Sequence, residues 1–353
     1  MTYARLADGP RDAVAAALAG TAEGVSVATS GSTGAPREVL LSVGALLASA
    51  RATHDRLGGP GHWLLAVPAD RVAGAMVLVR AAVAGTVPVT LEPGPFTASE
   101  FAHASTLLPT GDRRYVSLVP TQLRRLLADP AGRDALSTFN AALVGGAAML
   151  GGDGAPNVVT TYGMTETAGG CVYDGVPLEG VDIDVDADGR ILLSGPMLAD
   201  GYADGDGSAW ATRAGKRWLR TSDAGEIVDG RLAVWGRLDD VIVTGGLKVH
   251  PATVEQALSA MAGIAEVAVV PVADAEWGQR VVAVIEMARG ESLPPLAELR
   301  EALSARLEPH QLPRDAITVE HLPRLARGKI DRRAVRRLVD DQSPWRPHDH
   351  HRQ

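Results

Sequence analysis

Three short apolar runs, WLLAVP (63–68), RYVSLVP (114–120) and AALVGG (141–146), stop abruptly at Pro or Gly, and TQLRRLLAD (121–129), after the second, carries the apolar spacing of a helix. Runs of this length closed by a breaker read as buried strands whose C-terminal ends turn into loops. Strands alternating with helices constrain the chain to an α/β arrangement. In that class ligand sites form at the strand ends. The 353 residues, 46% of them hydrophobic, suffice for two or three domains with sizeable cores, and no internal repeat is evident.

Beyond residue 175 the texture changes. GVDIDVDADGRILLSGPML and RWLRTSDAGEIVDGRLAVWGR alternate polar and apolar residues around DADG and VDG turns, the pattern of hairpins in a β-rich subdomain. From LDDVIVTGG onward a smaller α+β unit is expected. Val254, Ala257, Leu258 and Met261 share one helical face, as do Leu296, Leu299, Leu303 and Leu307. The strands EVAVVPV and RVVAVIEM lie between them. The expected organisation is a large domain over 1–238, a small domain over 239–342 and a disordered tail over 343–353, where HDHHRQ offers at most adventitious metal ligands.

The formal net charge of −8 and the absence of a basic stripe argue against nucleic acid as a partner. The single cysteine, Cys171, cannot form an internal disulfide. The start MTYARLADGPRD lacks the apolar segment of a signal peptide, and no run approaches the length of a membrane span. The expectation is a cytoplasmic protein without membrane insertion. A homodimer is compatible with this reading.

The stretch VSVATSGSTGAPREVL crowds hydroxyls and glycines between Thr29 and Gly34. Such a turn can wrap a phosphate with backbone N–H groups, although it is not the kinase-type G-x-x-x-x-G-K-[ST] loop and alone could be an ordinary polar loop. VTTYGMTETAGG places Thr165 beside Glu166, an oxygen pair suited to Mg²⁺ or simply a capped helix start. Asp223 in TSDAGEI could chelate ribose hydroxyls. Arg237, Asp239 and Lys248 follow in WGRLDDVIVTGGLKVHP, and Lys329 precedes a basic helix in LPRLARGKIDRRAVRRL. In that helix Arg332, Arg333, Arg336 and Arg337 read as a solvated face.

In this order the segments resemble the adenylate-forming superfamily of acyl-CoA synthetases, adenylation domains and luciferases. TSGSTGAPR is similar to the family's T-S-G-[ST]-T-G-x-P-K, and YGMTE, TSD, GRLDDVIVTGGLK and PRLARGKIDR to its later motifs, together spanning residues 28–332. The resemblance implies a large domain of mixed sheets and helices with a β-rich subdomain and a small mobile α+β domain. It implies ATP, Mg²⁺ and CoA as ligands. Thr29, Ser30, Gly31, Ser32, Thr33, Gly34 and Arg37 would hold the β and γ phosphates. Thr165 and Glu166 would hold Mg²⁺, and Gly145, Gly146, Ala147, Tyr162 and Gly163 would border the adenine. Asp223 and Arg237 would hold the ribose, and Lys329 would bridge the α-phosphate and the substrate carboxylate. For the thioester half-reaction the small domain would turn about Asp239 and bring Gly245, Gly246 and Lys248 to the site.

Two departures from the family pattern stand out. Arg37 replaces the usual Lys, and Arg71 occupies the His position of P-x-x-H-x-x-G. Most of the family carry a long N-terminal subdomain before this loop, which here begins at Thr29, so the resemblance implies a shortened member similar to actinobacterial-type o-succinylbenzoate-CoA ligases. Those ligases also place an Arg nine residues after the His position, which here is Arg80. The resemblance therefore implies adenylation of o-succinylbenzoate and transfer to CoA in menaquinone biosynthesis, with Arg71, Arg80, Gly169 and Gly170 at the acid. The alternatives are another acid ligase serving CoA or a carrier protein, and a non-catalytic nucleotide-binding relative. For Arg80 itself a place on a helix surface is the other reading, but the apolar AGAMVLV before it makes burial of an unpartnered charge costly.

Overall fold

The computed structural model describes residues 2–29, 37–145, 157–324 and 330–342. The chain divides into two compact units, residues 1–221 with 225–233, and residues 222–224 with 234 onward. The motif-based hinge at Asp239 lies inside the second unit.

The first unit is built on a seven-stranded sheet in the order Val176–Pro177, Gly169–Tyr173, Val158–Met164, Ala141–Gly145, Arg114–Leu118, His62–Leu65, Val89–Thr90. The last five of these are parallel, and the first two antiparallel. The three runs expected to be strands supply the central strands His62–Leu65, Arg114–Leu118 and Ala141–Gly145. Residues 141–144 are buried throughout, as a strand covered on both faces requires. Between them the helix Pro120–Ala128 starts on Pro120, with the Gln122 side chain accepting from Val119 N at 2.9 Å, and buries Leu123 and Leu126. A fixed φ and a missing N–H cost nothing at a first helical position.

A four-stranded sheet, Ala4–Arg5, Gly24–Thr29, Arg37–Ser42 and Gly201–Tyr202, completes the strand framework of this unit's N-terminal part. Ser42 caps the helix Val43–Arg56. The helix Val72–Val83 reads VAGAMVLVRAAV and is buried without interruption from Gly74 to Ala81. A helix apolar on all sides belongs in a core, so the fold carries its one arginine inward. Both predicted hairpins form, Asp182–Val185 with Arg190–Ser194 and Lys216–Val228 with Arg231–Arg237, and the division between the units falls along the second.

In the second unit, Ile264–Asp274 pairs antiparallel with Gly278–Met287, which is flanked by Ile242–Thr244 and Asp315–Val319. The helices Pro251–Ser259 and Leu296–Leu303 bury Val254, Ala257, Leu258, Leu299 and Leu303. They end before Met261 and Leu307, which still pack into the same core from beyond the helix. Among the described residues, no helix is long and apolar enough to cross a membrane.

Candidate active site

Antiparallel pairing sets Thr29 opposite Arg37, and Thr29 Oγ1 donates to the Arg37 carbonyl at 3.1 Å. The two ends of the hydroxyl-rich segment are thereby brought together. Ser30, Gly31, Ser32, Thr33 and Gly34 lie outside the described residues, as do Gly146, Ala147, Lys329 and the tail. Arg71 precedes the Val72–Val83 helix and donates to the Ala28 carbonyl at 3.0 Å, with Asp70 3.4 Å away. It therefore stands beside the entry to that segment.

Arg37 is not an open cation. Its Nε and Nη2 each donate to Asp204 at 3.1 Å, and Nη2 donates to Asp206 at 2.8 Å. The guanidinium carbon sits 3.8 Å from the Tyr202 ring centroid. The Arg37 hydrogen bond holds the Asp204 carboxyl below its ordinary range, while Ser208 and then Arg37 do the same for Asp206. Tyr202 in turn donates its hydroxyl to Glu166 Oε1 at 2.9 Å. Burial first, then the Glu166 charge, pushes the phenol pKa up.

Glu166 lies in the single 3-10 turn Thr165–Thr167 that follows the strand Val158–Met164. Thr167, rather than Thr165, closes this turn: its Oγ1 accepts from Met164 N at 2.9 Å. Gly163 is needed for close approach, because a Cβ there would fall 2.2 Å from the Gly169 carbonyl oxygen. Gly145 at its strand end pairs with Thr161, and Tyr162 pairs with Val172. Thus Gly145, Tyr162, Gly163, Thr165, Glu166, Gly169 and Gly170 all occur on the C-terminal halves of two adjacent strands and the turn and strand that follow. Among the described residues, no cluster of three or more His, Cys, Asp or Glu could hold a metal. A half-buried carboxylate with one oxygen engaged still fits Mg²⁺, which commonly takes one or two carboxylates and completes its shell with waters and phosphates.

Arg80 is 4% exposed and makes no ion pair among the described residues; its Nε is without a partner. Its guanidinium carbon lies 5.2 Å from the Trp63 ring centroid. Burial pushes its pKa down, with Tyr173 acting in the opposite sense. His54, also buried, is lowered to about 4 by burial and by the Arg80 charge. His54 Nε2 and Trp63 Nε1 are likewise unsatisfied. Nothing in the periodicity of the sequence pointed to His54, Trp63 or Tyr173, since each reads as an ordinary core residue.

In the second unit Arg237 forms a two-pronged pair with Asp239 at 2.9 and 3.2 Å. Burial opposes the Arg237 charge, but Asp239 and then Asp223 outweigh it and raise the pKa. The hairpin Ile242–Thr244 and Leu247–Val249 turns through Gly245 and Gly246, both at positive φ. A Cβ at Gly245 would meet the Trp277 ring at 2.6 Å. Lys248 is exposed on this hairpin.

One expectation needs correction. Arg333, Arg336 and Arg337 are exposed, but Arg332 is not on a solvated face. It bonds the Val269 carbonyl at 3.0 Å and Glu255 at 2.7 Å, with Asp240 at 3.8 Å. A carboxylate on a neighbouring helix, invisible in local charge patterning, captures it.

Residues 27–203 match the AMP-binding enzyme family, and residues 253–329 match the AMP-binding enzyme C-terminal domain. The chain is 45% identical over 329 residues to a probable 2-succinylbenzoate–CoA ligase of Mycobacterium tuberculosis, covering 89% of this chain and 84% of that one. It superposes on o-succinylbenzoate CoA synthetase from Bacillus subtilis in complex with the acyl-adenylate intermediate OSB-AMP, with TM-score 0.73 and 27% identity over 88% of this chain and 68% of that one. The same synthetase with ATP and magnesium ion matches with TM-score 0.72 and 26% identity, covering 88% and 69%.

Proposed function

This chain belongs to the AMP-binding enzyme family, and from that premise we propose that it ligates o-succinylbenzoate to CoA at the expense of ATP. The observation that carries the substrate assignment is Arg80. A guanidinium buried without a carboxylate costs several kcal/mol, on the order of the penalty for an unpaired internal ion, and a bound anion would relieve it. o-Succinylbenzoate carries two carboxylates. One can be activated while the other stays charged and needs a cation.

In the first half-reaction the substrate carboxylate oxygen attacks the α-phosphorus of ATP, forming the acyl-adenylate and releasing pyrophosphate. The chain's part is positioning and charge compensation. Residues 29–34 cradle the departing phosphates, Gly145 and Tyr162 border the adenine, Asp223 with Arg237 holds the ribose, and Lys329 meets the α-phosphate. Glu166 and Thr165 would hold magnesium, which would supply neutralisation of phosphate charge. In the second half-reaction the CoA thiol attacks the acyl carbonyl and AMP departs; Gly245 and Gly246 let the pantetheine arm pass near backbone, with Lys248 beside them and Asp239 as the hinge. The motif order and the fold support these roles.

The proposal includes a cytoplasmic enzyme, and sedimentation velocity separates a homodimer from a monomer. The decisive test is a mass-spectrometric ligase assay with ATP, Mg²⁺, CoA and an acid panel of o-succinylbenzoate, benzoate and medium-chain fatty acids. A thioester from o-succinylbenzoate that is lost in Arg80→Ala is expected. Preference for another acid would replace the substrate, and absence of any adenylate would replace the activity with nucleotide binding.

A further inference from the structure

The Arg37 network accounts for a residue that the nucleotide reading leaves in an odd position. A phosphate-binding cation should present uncompensated charge, yet Arg37 spends its Nε and Nη2 donors on Asp204 and Asp206. Its planar face covers Tyr202 at 3.8 Å, a contact that a lysine ammonium would make in a different geometry. Tyr202 is fixed from the backbone side as well. It pairs with Val39 on the Arg37–Ser42 strand, and Ala203 N donates to the Glu38 carbonyl at 2.9 Å. Its backbone is thus held on the strand and its ring against the guanidinium, and its hydroxyl reaches Glu166 Oε1 at 2.9 Å. Ala199 N also donates to the Glu166 carbonyl at 2.8 Å, so the segment 199–202 holds Glu166 through both backbone and side chain.

We propose that Arg37 is a positioning residue that acts through Tyr202 on Glu166, with Asp204 and Asp206 as its anchors, rather than a direct ligand of the ATP phosphates. The inference rests on Glu166 being the carboxylate toward magnesium. The chain of contacts is Asp204 and Asp206 to Arg37, Arg37 to the Tyr202 ring, and Tyr202 hydroxyl to Glu166. Each link restricts the next, so loss of any one leaves the Glu166 carboxylate free to rotate among rotamers. A positioned ligand set matters for Mg²⁺ because that ion tolerates little departure from its preferred geometry.

The test is calorimetric titration of ATP into the full-length protein, with and without Mg²⁺, alongside the Mg²⁺ dependence of pyrophosphate release. The variants are Tyr202→Phe, Arg37→Gln, Arg37→Lys, the double variant D204N/D206N, and Arg37→Gln combined with Tyr202→Phe. Thermal midpoints identify any that fail to fold. Tyr202→Phe, which removes one hydroxyl, keeps the test available if the Arg37 variants do not fold. The expected result is a five- to tenfold rise in half-saturating Mg²⁺ for Tyr202→Phe, Arg37→Gln and D204N/D206N, with Mg²⁺-free ATP binding unchanged. The combined variant should be no worse than its stronger parent, and Arg37→Lys should be intermediate. Weaker Mg²⁺-free ATP binding in Arg37→Gln, with D204N/D206N unchanged or tighter, would overturn the proposal and make Arg37 a phosphate ligand. Additive effects in the combined variant would also overturn it. The titration needs no acid, so a wrong substrate assignment leaves it intact, and failure of the relay leaves the acid assay standing.

Discussion

Arg37 and Arg80 are both cations beside the expected site, and their surroundings are opposite. Arg37 lies at a strand end, about a quarter of its side chain exposed, with two carboxylates and an aromatic ring occupying it. Arg80 lies inside an apolar helix, buried against the Trp63 ring and close enough to His54 to lower its pKa. The first has its charge answered by carboxylates of the protein, and the second has no ion pair among the described residues. Proximity to a motif therefore says little about which cation serves the substrate; what the rest of the fold has already paired decides it.

The sharpest way to break this comparison is at Arg80. Arg80→Ala should lower kcat/KM for o-succinylbenzoate by roughly 10²–10³-fold, the scale expected when a buried charge pair loses one member. ATP binding followed by calorimetry should be unchanged. Comparable losses for benzoate would show that Arg80 supports the fold and not the second carboxylate. Arg80→Met should also stabilise the ligand-free protein, by about 1–3 kcal/mol, because it replaces an unpaired internal ion with a flexible apolar chain. Denaturant midpoints check this, and destabilisation would mean the cation is satisfied within the protein.

His54 sharpens the contrast through pH. Burial holds it at about 4, below its usual 6.5, so it is neutral in the folded protein while the unfolded chain takes up a proton below 6.5. Stability should fall as pH drops from 6.5 to 4 and gain no further loss from this group below that. His54→Asn should flatten this slope in thermal melts at matched ionic strength. An unchanged slope would place the titrating group elsewhere.

The smallest effect is expected at the compensated cation. The Asp204 and Asp206 carboxyls are lowered from an ordinary value near 3.8, so their stabilising contribution is present above that pH and lost as pH falls through their folded values. Since these pairs are solvent-exposed, Asp204→Asn should cost little stability, and less still at high salt. A larger cost in urea unfolding would show that the Arg37 clasp carries the fold as well as the site.

Much of the architecture was legible in the residues. Breaker-terminated apolar runs gave the parallel strands, and alternating segments around DADG and VDG gave the hairpins, because both patterns express local periodicity. Arg332 shows where that reading stops. A run of like charges suggests a solvated face until Glu255 and Asp240, 77 and 92 positions away in sequence, are folded against it. Tyr202, Asp204 and Asp206 were missed for the same reason: GYADGDG reads as a polar turn, and only its pairing with the Arg37 strand gives it a role.

The sequence by itself determined the family and the order of its motifs; for Arg80 it left a helix surface and a buried place both open, and the fold chose burial. The tertiary structure alone decided which charges are already compensated. Ion pairing and desolvation depend on distances between segments far apart along the chain, and periodicity reports only on neighbours.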